Sequence, residues 1–577
     1  EEGIATASFV PVEYMEELLV NGANGSAQPL KERLEVSLFC LTTTLADDGH
    51  FIVYYYPFGK PYILKNSKDR RPLLADLEEI YEDYLAKGYT YEKREKWPME
   101  VHVQSLREAG YYSYGRDGAA GKIYLNRKLF ESGYQAAKIK PLLAHEFFHF
   151  VQLNYVAVGD DLLWFDEATA TYFEGEKAGQ TPKIVNHYEY KIFSGVFPAV
   201  NDGPGGYARM PLVKYLSQKR GEEFILNAYT TAAEGTAWEE VLLSSTGQAA
   251  GWAGNFYEAL VKGDVSDFKP LILYKTLVEE GKYSNKEQLK DAAFGTKLAL
   301  TIPEAKEIDQ MIKEKKEVVF GSTTVSVDSF GAQLVALTID EKNLSKLEEG
   351  MEPSVFVPDP DADFRVLAIR GSTARVLDRG GNVLLTNFKK DSADKIVYLV
   401  LVVGLHESGK KDYTVTVGIP SYPTLDELVG EYSKARMIFS SVYISDETWA
   451  KARSKASGDE SGCDEQTLAM LQGMEGQVME SIFNVVKTGE NKGTFAFRNA
   501  DSKKKDDPDD AYPFTYAGGQ LLIDHKEDGE QLKGALSAAY GENKDSVILD
   551  GILKVSSGQE DAYIDLHFKG SKPLRGQ

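Results

Sequence analysis

His145, Glu146 and His149 form an H-E-x-x-H pattern inside the run from Pro141 to Gln152. Histidines four apart on a helix point to the same side, one turn above the other. Two imidazoles can then hold one metal ion while the glutamate beside the first reaches a water on that ion. The chemistry on offer is metal-assisted hydrolysis, with His145 and His149 as ligands and Glu146 as general base. The plain alternative is two core histidines that happen to be four apart. With eight histidines and 88 acidic residues among 577 positions, chance supplies the pattern about 0.02 times, which favours the metal.

The elements that must position these groups follow from the surrounding residues. Pro141 fits a first helical position, and Leu142, Leu143, Phe147, Phe150, Val151 and Leu153 give apolar surface on several sides. This predicts a largely buried helix, in which two histidines and a glutamate need a partner because unpaired buried charge is costly. A zinc enzyme also needs a third protein ligand and an open position for water. Glu167 lies 18 positions after His149, in a second predicted helix that opens at Asp166 and runs toward Gly179. That spacing lets the chain turn and bring a carboxylate back to the same metal.

At these residues the chain resembles the gluzincins, most closely the aminopeptidase N and peptidase MA-like branch. The segment Trp164, Phe165, Asp166, Glu167, Ala168, with Tyr172 and Glu174, is similar to the family's W-x-N-E-G-x-x-x-Y-x-E. Asp166 stands where the family has asparagine and Ala168 where it has glycine. The resemblance implies zinc as cofactor, Glu167 as third ligand, and Glu174 with Asp166 in supporting positions around the ligands. Farther on, Tyr207 and Arg209 fall where the family has Y-x-K-G, with Met210 in place of the glycine. This implies that Tyr207 stabilises the oxyanion, against the plain reading of a packing tyrosine, one of 33. No G-x-M-E-N segment, which grips a substrate's free amine in that branch, precedes the helix, and this shifts the expectation from aminopeptidase to endopeptidase. The strand–helix–strand run from His50 resembles the sheet lobe of the same domains, and implies that Lys122, Ile123, Tyr124, Leu125 and Asn126 form the substrate-lining edge strand.

Composition bounds the rest. A length of 577 residues leaves room for about three or four domains, and 43% apolar residues is ordinary for globular folding. A net charge of −23 argues against nucleic acid or an anionic membrane as partner. Cys40 and Cys463 are too few for a disulfide framework. The longest apolar run, Ile396 to Val403, is far too short for a bilayer span and reads as a buried strand. The absence of a leader predicts a cytoplasmic protein or a mature form with its signal removed, and we take the second: secreted, periplasmic or cell-surface.

The expected fold class is α+β and multidomain. Residues 1–47 form an N-terminal extension with helix-like pieces. Residues 48–312 form a zincin-like, thermolysin-like catalytic domain, with a sheet lobe and active-site helices over 48–178 and a helical lobe over 179–312. An antiparallel β-sandwich follows over 316–420, and a small α+β domain over 424–577 includes a helix from Asp464 to Lys487. Asp359 to Asp363 hints at calcium but reads better as a solvated acidic turn, and Asp501 to Asp510 as a charged loop. The expected function is a zinc-dependent peptidase acting on peptide or protein substrates, its C-terminal domains binding a protein or cell-surface component. Two alternatives stand beside it: a catalytically silent binding protein, and a zinc hydrolase of non-peptide substrates.

Overall fold

Alternating apolar residues at Met99, Val101 and Val103, and again at Ile123 and Leu125, give strands that bury one face completely. They lie in a computed structural model that describes residues 44–45, 49–55, 67–156, 163–234, 241, 248–265, 296–449, 465–500 and 511–574, apart from internal gaps of five residues or fewer. The chain divides into two units, one holding residues up to 186 with 200–213 and 221–241, the other 187–199, 214–220 and 242–577.

The first unit is built on a five-stranded sheet in the order β1-β2-β3-β5-β4, formed by Thr44–Leu45 (β1), Phe51–Tyr55 (β2), Met99–Gln104 (β3), Gly110–Gly115 (β4) and Gly118–Asn126 (β5). Strands β2, β3 and β5 are parallel, and β4 returns antiparallel along β5. The stretch Lys122–Asn126, expected at the sheet edge, is therefore an inner strand. Its backbone groups are engaged by β3 on one side and β4 on the other, and the edge passes to β4.

Two helices, Ser67–Ala86 (α1) and Ala136–Leu153 (α2), pack with this sheet. Aromatic side chains fix α2: Phe51 meets Phe147 at 5.3 Å between ring centroids, Tyr84 meets Phe148 at 5.4 Å, and the Tyr84 hydroxyl donates to Ala144 O at 3.0 Å. Helix α2 starts five residues before Pro141, which lies inside it rather than at its first position. Packing on all sides outweighs the hydrogen bond that proline cannot donate. Leu163–Ala178 (α3) follows and stops at Gly179, whose φ of +63° is a left-handed C-terminal turn. Helix Gly203–Arg220 (α4) then begins in this unit, and Glu223–Ala233 (α5) completes it.

The second unit contains Ala249–Lys262 (α6) and two sheets. One is ordered β11-β10-β13-β8-β6, formed by Thr373–Arg379 (β11), Ala362–Arg370 (β10), Val397–Gly404 (β13), Ala332–Thr338 (β8) and Thr296–Ala299 (β6). The other is β12-β9-β14-β7, formed by Asn382–Leu384 (β12), Ser354–Phe356 (β9), Lys410–Ile419 (β14) and Val318–Asp328 (β7). Phe320, Val325, Val400, Phe364 and Val415 from both sheets share one core.

Beyond Thr424 the chain closes into an eight-stranded antiparallel barrel, β15 to β22, running from Gly430–Ile444 (β15) to Ala562–Pro573 (β22). This closed barrel overturns the expected fold class, an α+β chain with a zincin-like domain and a small α+β ending. The helix expected from Asp464 to Lys487 stops at Gly473, and Val478–Gly489 is strand β16. There Ser481, Phe483 and Val485 are buried at period two while Glu480 and Val486 on the other face are exposed, a pattern that serves a strand and not a helix. Phe495, Leu521, Leu536 and Phe568 lie in the barrel's core, and Asp524 and Lys533 point outward. A membrane-spanning barrel has the reverse pattern, an apolar outer band. Among the described residues no helix is long and apolar enough to cross a membrane. The expectations for residues 1–43 and 501–510 lie outside the described residues, as do Cys40 and Cys463.

Candidate metal centre

The site lies wholly in the first unit, where α2 and α3 run side by side. On α2, His145 and His149 are buried to 6% exposure and Glu146 to 4%. Their Nε2 atoms are 3.2 Å apart. From α3, Glu167 brings Oε2 to 3.5 Å from His145 Nε2 and Oε1 to 3.8 Å from His149 Nε2. One ligand atom from each of the three lies within 4.8 Å of the others.

These distances test whether zinc fits. Nitrogen ligands about 2.0–2.1 Å from a tetrahedral ion stand about 3.3 Å apart, close to the separation of the two imidazoles. Two ring nitrogens facing each other in a buried pocket share at most one proton usefully, whereas a cation takes both lone pairs. Glu167 Oε2 is buried and has no hydrogen-bond partner, an acceptor that a metal would satisfy. Two imidazoles and a carboxylate are a zinc ligand set, and the residues fit the ion.

The electrostatics point the same way. Burial alone would lower the His145 pKa, but the carboxylates of Glu167 and Glu174 within 3.5 Å and the charge of Glu146 hold it well above the usual histidine range. Burial and the neighbouring His145 depress His149. Burial would raise Glu167, yet the charge of His149 and the closeness of His145 bring it down to about 2. Carboxylates thus surround a place that favours positive charge.

Supporting groups orient each ligand. Glu174 Oε2 lies 3.2 Å from His145 Nδ1, at ion-pair distance. Tyr207, early in α4, donates its hydroxyl to Glu167, and its ring is 6.3 Å from that of His145. Burial and the Glu167 charge push the Tyr207 pKa far up, so the phenol keeps its proton and stays a donor. Asp166 touches neither histidine. Its Oδ1 accepts from Tyr229 at 2.8 Å, and burial pushes its carboxyl up to about 7. In the strand expected to line the substrate, Lys122 pairs with Glu100 at 2.5 Å, and Ile123 and Leu125 are fully buried.

No family model matches this chain, and no curated protein matches it. A solved structure of a provisionally assigned outer membrane protein from Bacteroides fragilis is similar at 10% identity over 44% of this chain and 89% of its own, with a TM-score of 0.15. A likeness at that score carries no argument, and the reading rests on the site itself.

Several residues that shape the site were not singled out from sequence. Gln152, 2% exposed, holds Oε1 2.9 Å from His149 Nδ1 and donates Nε2 to Asp166 O at 2.8 Å and to Thr169 Oγ1 at 3.0 Å. It therefore ties the helix of the two histidines to the helix of Glu167. The signal was present, since position 152 follows His149 by three residues and shares its helix face. Gly206 brings α4 against α3: a Cβ there would lie 2.5 Å from Glu167 Cβ and 2.6 Å from Trp164 O. Gly110 brings β4 against the general-base candidate, since a Cβ there would stand 3.2 Å from Glu146 Oε1. Neither glycine could be told from the other 49 in the sequence.

Proposed function

We propose that this protein is a zinc-dependent peptidase. The observation that carries the reading is the convergence of His145, His149 and Glu167, two buried imidazoles and a carboxylate, with Glu146 beside them. Zinc held by these three residues would supply Lewis acidity toward a scissile carbonyl and toward a water. Glu146 takes a proton from the attacking water and delivers it to the departing amine. Tyr207, kept protonated by burial, turns its hydroxyl toward the developing oxyanion. Glu174 and Gln152 hold the two imidazoles by their Nδ1 edges, leaving Nε2 of each for the ion. Peptide and protein substrates fit the resemblance, with internal cleavage favoured because no amine-gripping motif precedes α2.

The test is digestion of a diverse peptide library by zinc-loaded protein, read by mass spectrometry, with Glu146→Gln as control. Internal cuts that fall by about 10³-fold in the variant, at unchanged zinc content, are expected. Loss of residues from amino termini would restore the aminopeptidase reading. Bound zinc without cleavage of any peptide would turn the reading toward a binding protein or a non-peptide hydrolase.

A further inference from the structure

The second unit carries a polar cavity of about 510 Å³, within the roughly 300–1,000 Å³ range of pockets that enclose small molecules. Its walls come from the end of α4 (Tyr215, Lys219), from α6 (Asn255, Lys262), from Arg379 of β11, and from β15 and β22 of the barrel. Sandwich, barrel and helices meet around it.

The cations in this wall are already matched. Arg379 donates Nε and Nη2 to the two oxygens of Glu258, each at 2.9 Å. Lys262 stands 2.6 Å from Asp264, and Lys219 stands 3.2 Å from Glu475. An anionic ligand would have to pull one of these cations from its partner. An ammonium ligand would find Asp565, but would sit in a wall shared with three cations.

What remains for recognition is hydrogen bonding. Tyr215 is 4% exposed, and its hydroxyl has no hydrogen-bond partner among the described residues although it borders the cavity. Asn255 donates Nδ2 to Ser440 O at 2.5 Å, and its buried Oδ1 is left without a partner. Asp565 lies beside it, its backbone carbonyl accepting from the Ser440 hydroxyl at 2.9 Å. The Tyr215 donor and the Asp565 carboxylate at the border of a polar space call for a ligand that offers both kinds of group. Hydroxyls do this as water does, so a polyol can replace cavity waters without orphaning the wall.

We propose that this cavity binds a neutral, polyhydroxylated small molecule the size of one or two sugar rings, with Tyr215 and Asp565 as its recognition groups. The inference stands on the second unit alone and does not depend on the metal centre.

The experiment is saturation-transfer NMR on the full chain with glucose, galactose, N-acetylglucosamine and lactose, and with putrescine and inorganic phosphate as charged probes. At least one neutral sugar should bind saturably. Tyr215→Phe keeps the ring's packing against Phe256 and should weaken that binding about fivefold, the effect of one hydrogen bond. Ala259→Leu, which places a larger side chain into the same cavity, should remove it, and decides the matter should Tyr215→Phe fail to fold. Silence from every sugar, a signal from putrescine or phosphate alone, or sugar binding indifferent to Ala259→Leu would overturn the proposal.

Discussion

Both units bury carboxylates, and they treat them differently. In the second unit every buried acid shown meets a cation: Glu258 is paired with Arg365 at 2.6 Å and with Arg379, Asp363 with Arg365 at 3.0 Å, and Asp550 with Lys569 at 3.0 Å. In the first unit Glu167 and Glu174 face imidazoles, with His145 Nδ1 and Glu167 Oε2 lacking aligned hydrogen bonds. A buried charge cluster that neutralises itself serves the fold. One that leaves facing lone pairs unsatisfied leaves work for an ion. Burial alone therefore does not mark a site, and neither does an unpaired atom, since Asp363 Oδ1 and Arg365 Nε are also buried without a hydrogen bond; what marks one is two facing imidazole nitrogens with a third ligand beside them.

The comparison breaks first if the second unit's pairs prove dispensable. Arg365→Met removes a guanidinium buried to 4% exposure and leaves Asp363 without its partner. Removing one member of a buried pair costs about 3–5 kcal/mol, and denaturant unfolding should show that loss with zinc binding unchanged. Zinc should have the complementary effect. At a free concentration about a thousandfold above its Kd it adds about 4 kcal/mol, which a chelator reverses. Calorimetry should show that shift in Arg365→Met and lose it in His149→Ala.

The two regions should also answer pH with opposite sign. Burial opposes ionisation of Glu258 and Asp363, but Arg365 holds both below the usual carboxylate range. Their contribution is present above the unfolded values near about 4 and is lost as pH falls through the folded ones. Asp166 is the reverse, its carboxyl pushed up to about 7 by burial. That contribution is full below about pH 4 and is lost as pH rises toward 7. In zinc-free protein Asp166→Asn keeps an acceptor for Tyr229 without a buried charge. Its melting temperature should exceed that of the parent by about a few degrees at pH 8 and by less at pH 5.

Legibility followed the range of the interactions. His145, Glu146 and His149 meet because helical pitch dictates it, and Glu167 lies one helix on, so spacing alone brought four residues together. Strand β13 was legible for the same reason, as a continuous apolar run buried on both faces. The barrel was not. Its closure depends on β15 pairing with β22 across more than a hundred residues, and small inward residues such as Ser481 and Ala538 mute the alternation. The edge strand was misplaced because nothing in Gly110–Gly115 announces that it folds back along β5. Pro141 misled because a proline preference for the first turn is weaker than the packing of Phe147, Phe148 and Phe150.

The finest test of the comparison concerns Gln152, a neutral residue in the midst of the charged ones. Its Oε1 accepts from His149 Nδ1, which fixes the tautomer that leaves Nε2 bare, while its Nε2 holds the backbone of Asp166 beside Glu167. Gln152→Leu should keep volume and burial but free the ring to turn, lowering zinc affinity about 10- to 100-fold. Gln152→Glu restores an acceptor for Nδ1 and should recover most of that affinity, although it loses the bond to Asp166 O. Competition with a chromophoric chelator measures both. Equal zinc affinity in all three proteins would mean that packing alone orients His149, and the first unit would then resemble the second, a place where polar groups hold the fold and prepare nothing.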